Sequence, residues 1–282
     1  MESPLPYIIR LLRKWSFTLS VLLAVAMGMT FSGWFIGIGD FKFTSLFVPI
    51  LQVIMFCMGS TLSIGDFARV IRMPAGVGVG LVCQFTIMPL IGFGLVSVFG
   101  LPPEIAAGVI LVGVSPSGLA SNVMALIARA DVAMSVTMTA VATMVSPLIT
   151  PFLMKLLAGA MIEVDTWGMM WSMTKMVVLP VIAGLVFHHS VYHRVIWLKR
   201  IMPLISMIGI VVMTVLTVAI GRDNLITMGL ILIVVCFLHI SCGYFFGYAI
   251  CRVLGLEKQT CRTIALEVEH RGIKDHATHR TD

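Results

Sequence analysis

Apolar stretches long enough to cross a bilayer follow one another almost without interruption, and this succession restricts the chain to a helical membrane fold. A crossing needs about 20 apolar residues. On that basis the 282-residue sequence divides into spans at about 17–39, 45–64, 74–99, 104–128, 132–158, 168–188, 201–220 and 225–254, with the apolar start of a ninth at 260–268. The connections, such as 39–42, 100–103, 129–131 and 221–224, are short and mostly polar, so no soluble domain is inserted. In hydrocarbon every backbone N–H and C=O needs an internal partner, which leaves helices and closed barrels, and spans of this length select helices. The predicted fold class is therefore an all-α integral membrane protein with eight full spans and part of a ninth.

Charge settles what the basic residues are for. Only 11% of the residues are charged, against about 25% in soluble domains, and the net +6 is spread over short loops rather than gathered on one face. This excludes a nucleic-acid surface and leaves a topology signal. With the N-terminus (1–16) in the cytoplasm, Arg10, Arg13, Lys14, Arg69, Arg72, Arg129, Arg194, Lys199, Arg200, Arg252, Lys258 and Arg262 lie inside; Lys42, Lys155, Lys175 and Arg222 lie outside. That asymmetry predicts a multi-pass protein with a cytoplasmic N-terminus. Lys175, several residues into the sixth span, reads as a snorkelling side chain. The basic N-terminal run lacks a small-x-small cleavage site, so 17–39 is read as a retained span and not a signal peptide.

One span cannot be a continuous helix. The run Val112-Gly-Val-Ser-Pro-Ser-Gly-Leu-Ala-Ser-Asn122 places helix breakers and small polar residues inside the fourth apolar stretch. Irregular backbone at membrane depth persists only where it is buried in protein or lines a wet cavity, so the break marks a candidate ligand site. Ser135 and Thr139 are four apart on the next span and share a helix face. Glu267 is a carboxylate placed at membrane depth, an expensive residue that is a functional candidate by default.

Other chemistry finds little support. The cysteines and the 21 methionines read as packing residues. His188, His189 and His193 are read as part of a solvated basic connection, and His239 as a hydrogen-bonded packing residue. Gly113-Val-Ser-Pro-Ser117 lacks the last glycine of a nucleophile elbow and no base serves Ser115. The chain is not expected to be an enzyme; an intramembrane enzyme would need a paired base or nucleophile that the sequence does not supply, and no cofactor is expected.

A weak internal repeat organises the spans. The segment from Leu101 to Gly113 can be laid on that from Leu256 to Val268, at an offset of 155, each following a Gly-Leu step that ends an apolar helix. Spans four and nine then become equivalent members of two five-span halves. Because five is odd, the second half is inverted in the membrane. The halves are 17–159 and an incomplete 160–268.

These residues carry a family resemblance. Phe56-Cys-Met-Gly-Ser-Thr-Leu-Ser-Ile-Gly-Asp-Phe67, Gln84-Phe-Thr-Ile-Met-Pro-Leu90, Ser115-Pro-Ser-Gly-Leu-Ala-Ser-Asn122, Ala130-Asp-Val-Ala-Met-Ser-Val-Thr-Met-Thr139, Ser146-Pro-Leu-Ile-Thr-Pro151 and Ile264-Ala-Leu-Glu-Val268 occur in order. Together they resemble the bile acid:sodium symporter family, in a bacterial member. The resemblance implies a ten-helix fold of inverted five-helix repeats, a panel and a core domain, with helices four and nine broken and crossing in the core. It implies a sodium-coupled secondary transporter of small organic anions or carboxylates in the inner membrane, working by alternating access. One sodium would bind at Ser121, Asn122, Ser135, Thr139 and Glu267; a second at Gln84, Glu267 and the Val268 carbonyl. Hard oxygen donors of this kind suit sodium. The substrate anion is expected at the backbone of Leu119 and Ala120, near half-helix N-termini.

Past Val268 the resemblance fails. Where the family continues with Gly-Met-Gln-Asn-Ser-Gly and further apolar helix, this chain reads a polar tail over 269–282, with His270 and Arg271 at the expected Met and Gln. A frameshift or early stop explains the ending most simply, and the rival function is then a non-transporting truncated product of such a gene.

Overall fold

A computed structural model describes residues 5–38, 41–63, 65–67, 73–118, 121, 124–125, 128, 130–192 and 198–269. These residues are overwhelmingly helical. The helices are α1 (Leu5–Thr30), α2 (Ser32–Ile36), α3 (Phe47–Thr61), α4 (Pro74–Phe99), α5 (Pro103–Val114), α6 (Val132–Ala158), α7 (Thr166–Met173), α8 (Leu179–Phe187), α9 (Leu198–Ile220), α10 (Arg222–Val253) and α11 (Lys258–Glu269). The one strand pairing among the described residues is a small antiparallel match of Gly37–Ile38 with Phe41–Lys42.

Six helical stretches among the described residues are long and apolar enough to cross a membrane: Phe43–Thr61, Pro74–Phe99, Val132–Ala158, Thr166–Ser190, Ile201–Ile220 and Arg222–Val253. Two of the expected eight spans are shorter as apolar helices, Phe17–Thr30 and Pro103–Val114. The first is shortened at a kink: Phe31 leaves helical geometry (φ −116°, ψ 35°) before α2 begins, although the α1 helix itself starts well ahead of the apolar run, at Leu5. The second is cut by Pro116. Proline has no N–H to continue the ladder and forces the residue before it out of the helical region, and Ser115 is extended at φ −76°, ψ 149°.

The stretch Thr166–Ser190 widens into a π-helical turn over Thr174–Val178. Pro180 follows, and its ring would collide with the Met176 carbonyl in a regular α-helix. Widening the turn relieves that clash. The side chain of Lys175 in this turn is exposed, and Gln52 Nε2 donates to the Lys175 carbonyl across 3.3 Å.

The chain forms two compact units that draw on both halves of the sequence: 1–63 with 172–234, and 64–171 with 235–282. In the first unit, α3 packs on α8 and α9, and α1 on α9. In lipid, helices gain little from apolar burial against one another, so close packing and polar contacts hold them. Gly59 and Gly184 supply the closest approach: a Cβ at either would strike the backbone of the facing helix. At the end of α3, His188 Nδ1 lies 2.6 Å from the Ser60 carbonyl. His188 is thus partly buried and tied to α3, not part of a solvated connection; His193 lies outside the described residues.

In the second unit, α4, α5, α6 and α11 pack on one another. Gly80 sits against Met138 and Ile264, Gly247 against Ala265 and Val268. His239 is buried with Nε2 3.0 Å from the Met88 carbonyl, the packing role expected of it. Pro147 inside α6 deprives the Thr143 carbonyl of its helical donor, and the Ser146 hydroxyl supplies one at 3.0 Å. Asp131 caps α6: its Oδ1 accepts the Met134 N–H at 3.0 Å, while its own N–H donates to Thr263 Oγ1 on α11 at 2.8 Å. Asp131→Ala is expected to lower stability by about 1 kcal/mol, read as a fall of a few degrees in the unfolding midpoint of the detergent-solubilised protein, with Asp131→Asn near wild type.

Candidate functional site

The break in the fourth apolar stretch is built from its unsatisfied carbonyls outward. A helix end leaves its last carbonyls without helical donors. Here Ser115 Oγ donates to Leu111 O at 2.6 Å, Ser115 N to Val112 O at 3.3 Å, and Thr150 Oγ1 on α6 to Val114 O at 2.8 Å. Residues 116–118 then run without helical structure, and the chain turns again at Ser121, whose N–H and hydroxyl both donate to Gly118 O, at 3.1 and 2.7 Å.

Two helices close on this turn. Residue α6 Ser135 and α6 Thr139, one turn apart, are fully buried, and α11 brings Glu267, only 1% exposed, from far along the chain. The Glu267 carboxylate is ringed by hydroxyls. Ser135 Oγ donates to Oε1. On Oε2, Ser117 Oγ donates at 2.5 Å and Thr139 Oγ1 at 3.0 Å. Ser121 is also within hydrogen-bonding reach of the carboxylate, and its Oγ lies 3.4 Å from Thr139 Oγ1. Burying a carboxylate costs several kcal/mol unless it is hydrogen-bonded, so four hydroxyls supply what this group requires. Among the described residues no cationic side chain pairs with Glu267; the dipoles of these hydroxyls surround its carboxylate.

Of the expected sodium ligands, Ser121, Ser135, Thr139 and Glu267 come together. Asn122, and the substrate candidates Leu119 and Ala120, lie outside the described residues, as do His270, Arg271 and the rest of 270–282. Gln84 on α4 is 2% exposed, and its Oε1 has no hydrogen-bond partner among the described residues. An orphaned buried carbonyl oxygen is costly, and it is a hard donor suited to a cation. The Val268 side chain packs into an apolar cluster with Cys83, Ile87 and Cys251. Ser117 escaped the sequence reading, although the second serine of the Ser-Pro-Ser-Gly break was a visible signal.

The model of the Sodium Bile acid symporter family matches residues 48–237. The chain belongs to this family. As a symporter-family member it is 39% identical over 250 residues to an "Uncharacterized sodium-dependent transporter YocS" of Bacillus subtilis, covering 86% of this chain and 78% of that one. It is 35% identical over 226 residues to a rice "Probable sodium/metabolite cotransporter BASS1, chloroplastic", covering 78% of this chain and 55% of the relative. To the human "Ileal sodium/bile acid cotransporter" it is 29% identical over 222 residues, covering 77% of this chain and 64% of the relative. Membership of the symporter family and the six apolar crossings make the chain a multi-pass membrane protein.

Proposed function

We propose that this chain is a sodium-coupled symporter of small organic carboxylates, working by alternating access in the inner membrane with its N-terminus in the cytoplasm. The observation that carries the reading is a buried carboxylate, Glu267, ringed by Ser117, Ser121, Ser135 and Thr139. A cluster of one charge and several neutral oxygens matches a monovalent hard cation. In this reading Ser121, Asn122, Ser135, Thr139 and Glu267 hold one sodium, and Gln84, Glu267 and the Val268 carbonyl a second, the orphaned Gln84 Oε1 being the acceptor that a cation would satisfy. The unit of 1–63 and 172–234 serves as panel, and that of 64–171 and 235–282 as core. The substrate carboxylate binds at the backbone of Leu119 and Ala120.

The ten-helix inverted repeat belongs to the same proposal. Gly100 and Gly255, the two glycines at the matched Gly-Leu steps, both adopt left-handed geometry, at φ 59° and 75°. Each ends a long helix, and each is followed by the helix leading to the site. The sodium dependence named for the relatives supports coupling.

The test is uptake by the purified protein in liposomes, with bile acids and short keto acids as labelled substrates. An inward sodium gradient is expected to drive accumulation that vanishes when potassium replaces sodium or an ionophore dissipates the gradient. Accumulation indifferent to sodium would overturn the reading.

A further inference from the structure

Ser117 reaches the cluster from outside any helix. It lies in the irregular segment after α5 and is partly exposed, whereas Ser135 and Thr139 are fully buried on α6. Its Oγ donates at 2.5 Å to Glu267 Oε2, 150 positions along the chain, and lies 3.5 Å from Thr139 Oγ1. A hydroxyl proton directed at a carboxylate oxygen and a cation approaching that oxygen compete for the same lone pairs. Thr139 also donates to Oε2, but its place on a helix fixes it there, and its oxygen is shared with Ser121 and Ser117. Ser117 can withdraw by turning a non-helical segment, without breaking a helix.

We propose that Ser117 is a positioning residue that sets the sodium affinity of the Glu267 site: its hydroxyl competes with the ion for Oε2, and its withdrawal links ion entry to the segment that leads to Leu119 and Ala120. This rests on the sodium-site reading above. Hydrogen bonds to charged groups are among the stronger ones, so removing this one favours the ion. The broken segment and the ion are thereby coupled through a single side chain: sodium releases Ser117, and Ser117 bound to Oε2 disfavours sodium.

The experiment measures binding of radioactive sodium to the purified, detergent-solubilised protein at pH 8.5, where protons compete least, for wild type, Ser117→Ala, Ser117→Thr and Glu267→Gln. Ser117→Ala is expected to bind sodium about three- to tenfold more tightly, and Ser117→Thr, which keeps the hydroxyl, to stay close to wild type. A purely structural role for Ser117 would not tighten binding. Weaker binding in Ser117→Ala would make Ser117 an ion ligand and overturn the proposal; unchanged binding would overturn it as well. If wild type binds no sodium, or Glu267→Gln binds it as wild type does, the site reading itself fails, and the competition with it.

Discussion

Glu267→Gln is expected to abolish sodium-driven uptake, weakening sodium binding by about 100-fold or more while leaving the protein folded. Gln keeps the shape of the side chain and one acceptor oxygen for the surrounding hydroxyls, so packing in the second unit changes little. What is lost is the only charge in the cluster of Ser117, Ser121, Ser135 and Thr139. Neutral hydroxyls are weak donors toward a cation, and the cost of losing a supporting contact in a metal site is already about 10–100-fold; loss of a charged ligand exceeds it. The comparison to make is sodium-dependent uptake in liposomes beside the elution profile and melting point of the same preparation. A variant that elutes and melts as wild type does but takes up no substrate fits the prediction. A variant with normal sodium-dependent uptake would remove Glu267 from the mechanism.

Gly184→Leu is expected to be the most damaging single change in the first unit, costing about 3 kcal/mol or more and leaving little protein that survives extraction. The ideal Cβ at Gly184 meets the Phe56 carbonyl oxygen and the backbone of Gly59 and Ser60, and that at Gly59 meets the backbone of Val181. Those atoms belong to helices, so the clash cannot be relieved by turning a side chain. Helix α3 and helix α8 must separate, and in lipid their association depends on that close fit. Gly108→Ala is the control: nothing lies within 4 Å of its added Cβ, and alanine favours helix over glycine by about 1 kcal/mol. Thermal unfolding in detergent should distinguish the two variants sharply. Equal midpoints would mean that α3 and α8 do not meet backbone to backbone.

Much of this architecture is written in local patterns. The apolar runs locate the long helices within a few residues, because a crossing helix must be apolar along its length. The break at Ser115-Pro-Ser was legible because proline acts on its own neighbours. Ser135 and Thr139 declared their shared face through helical spacing, and Glu267 stood out through the cost of burying a charge. Other features depend on pairing between distant segments and leave no local trace. The division into 1–63 with 172–234 and 64–171 with 235–282 is such a case, as is the contact of His188 with the Ser60 carbonyl, which made a nominal loop histidine part of a helix packing. The kink at Phe31 lacked a proline to announce it. Ser117 was missed for a different reason: its hydroxyl acquires meaning only once Glu267 arrives from 150 residues away.

That separation also bears on how the protein is made. A chain entering the membrane in order lays down α4, α5 and α6 long before α11, so the hydroxyl wall of the site exists before its carboxylate. Ser and Thr side chains can wait safely, because within a helix they borrow carbonyls from the preceding turn, as Thr137 and Thr143 do. Glu267 has no such refuge. Its carboxylate can leave water at low cost only when Ser117, Ser135 and Thr139 are in place to receive it, so α11 docks after α5 and α6 have met, and the hydroxyl cluster sets the order in which these helices assemble.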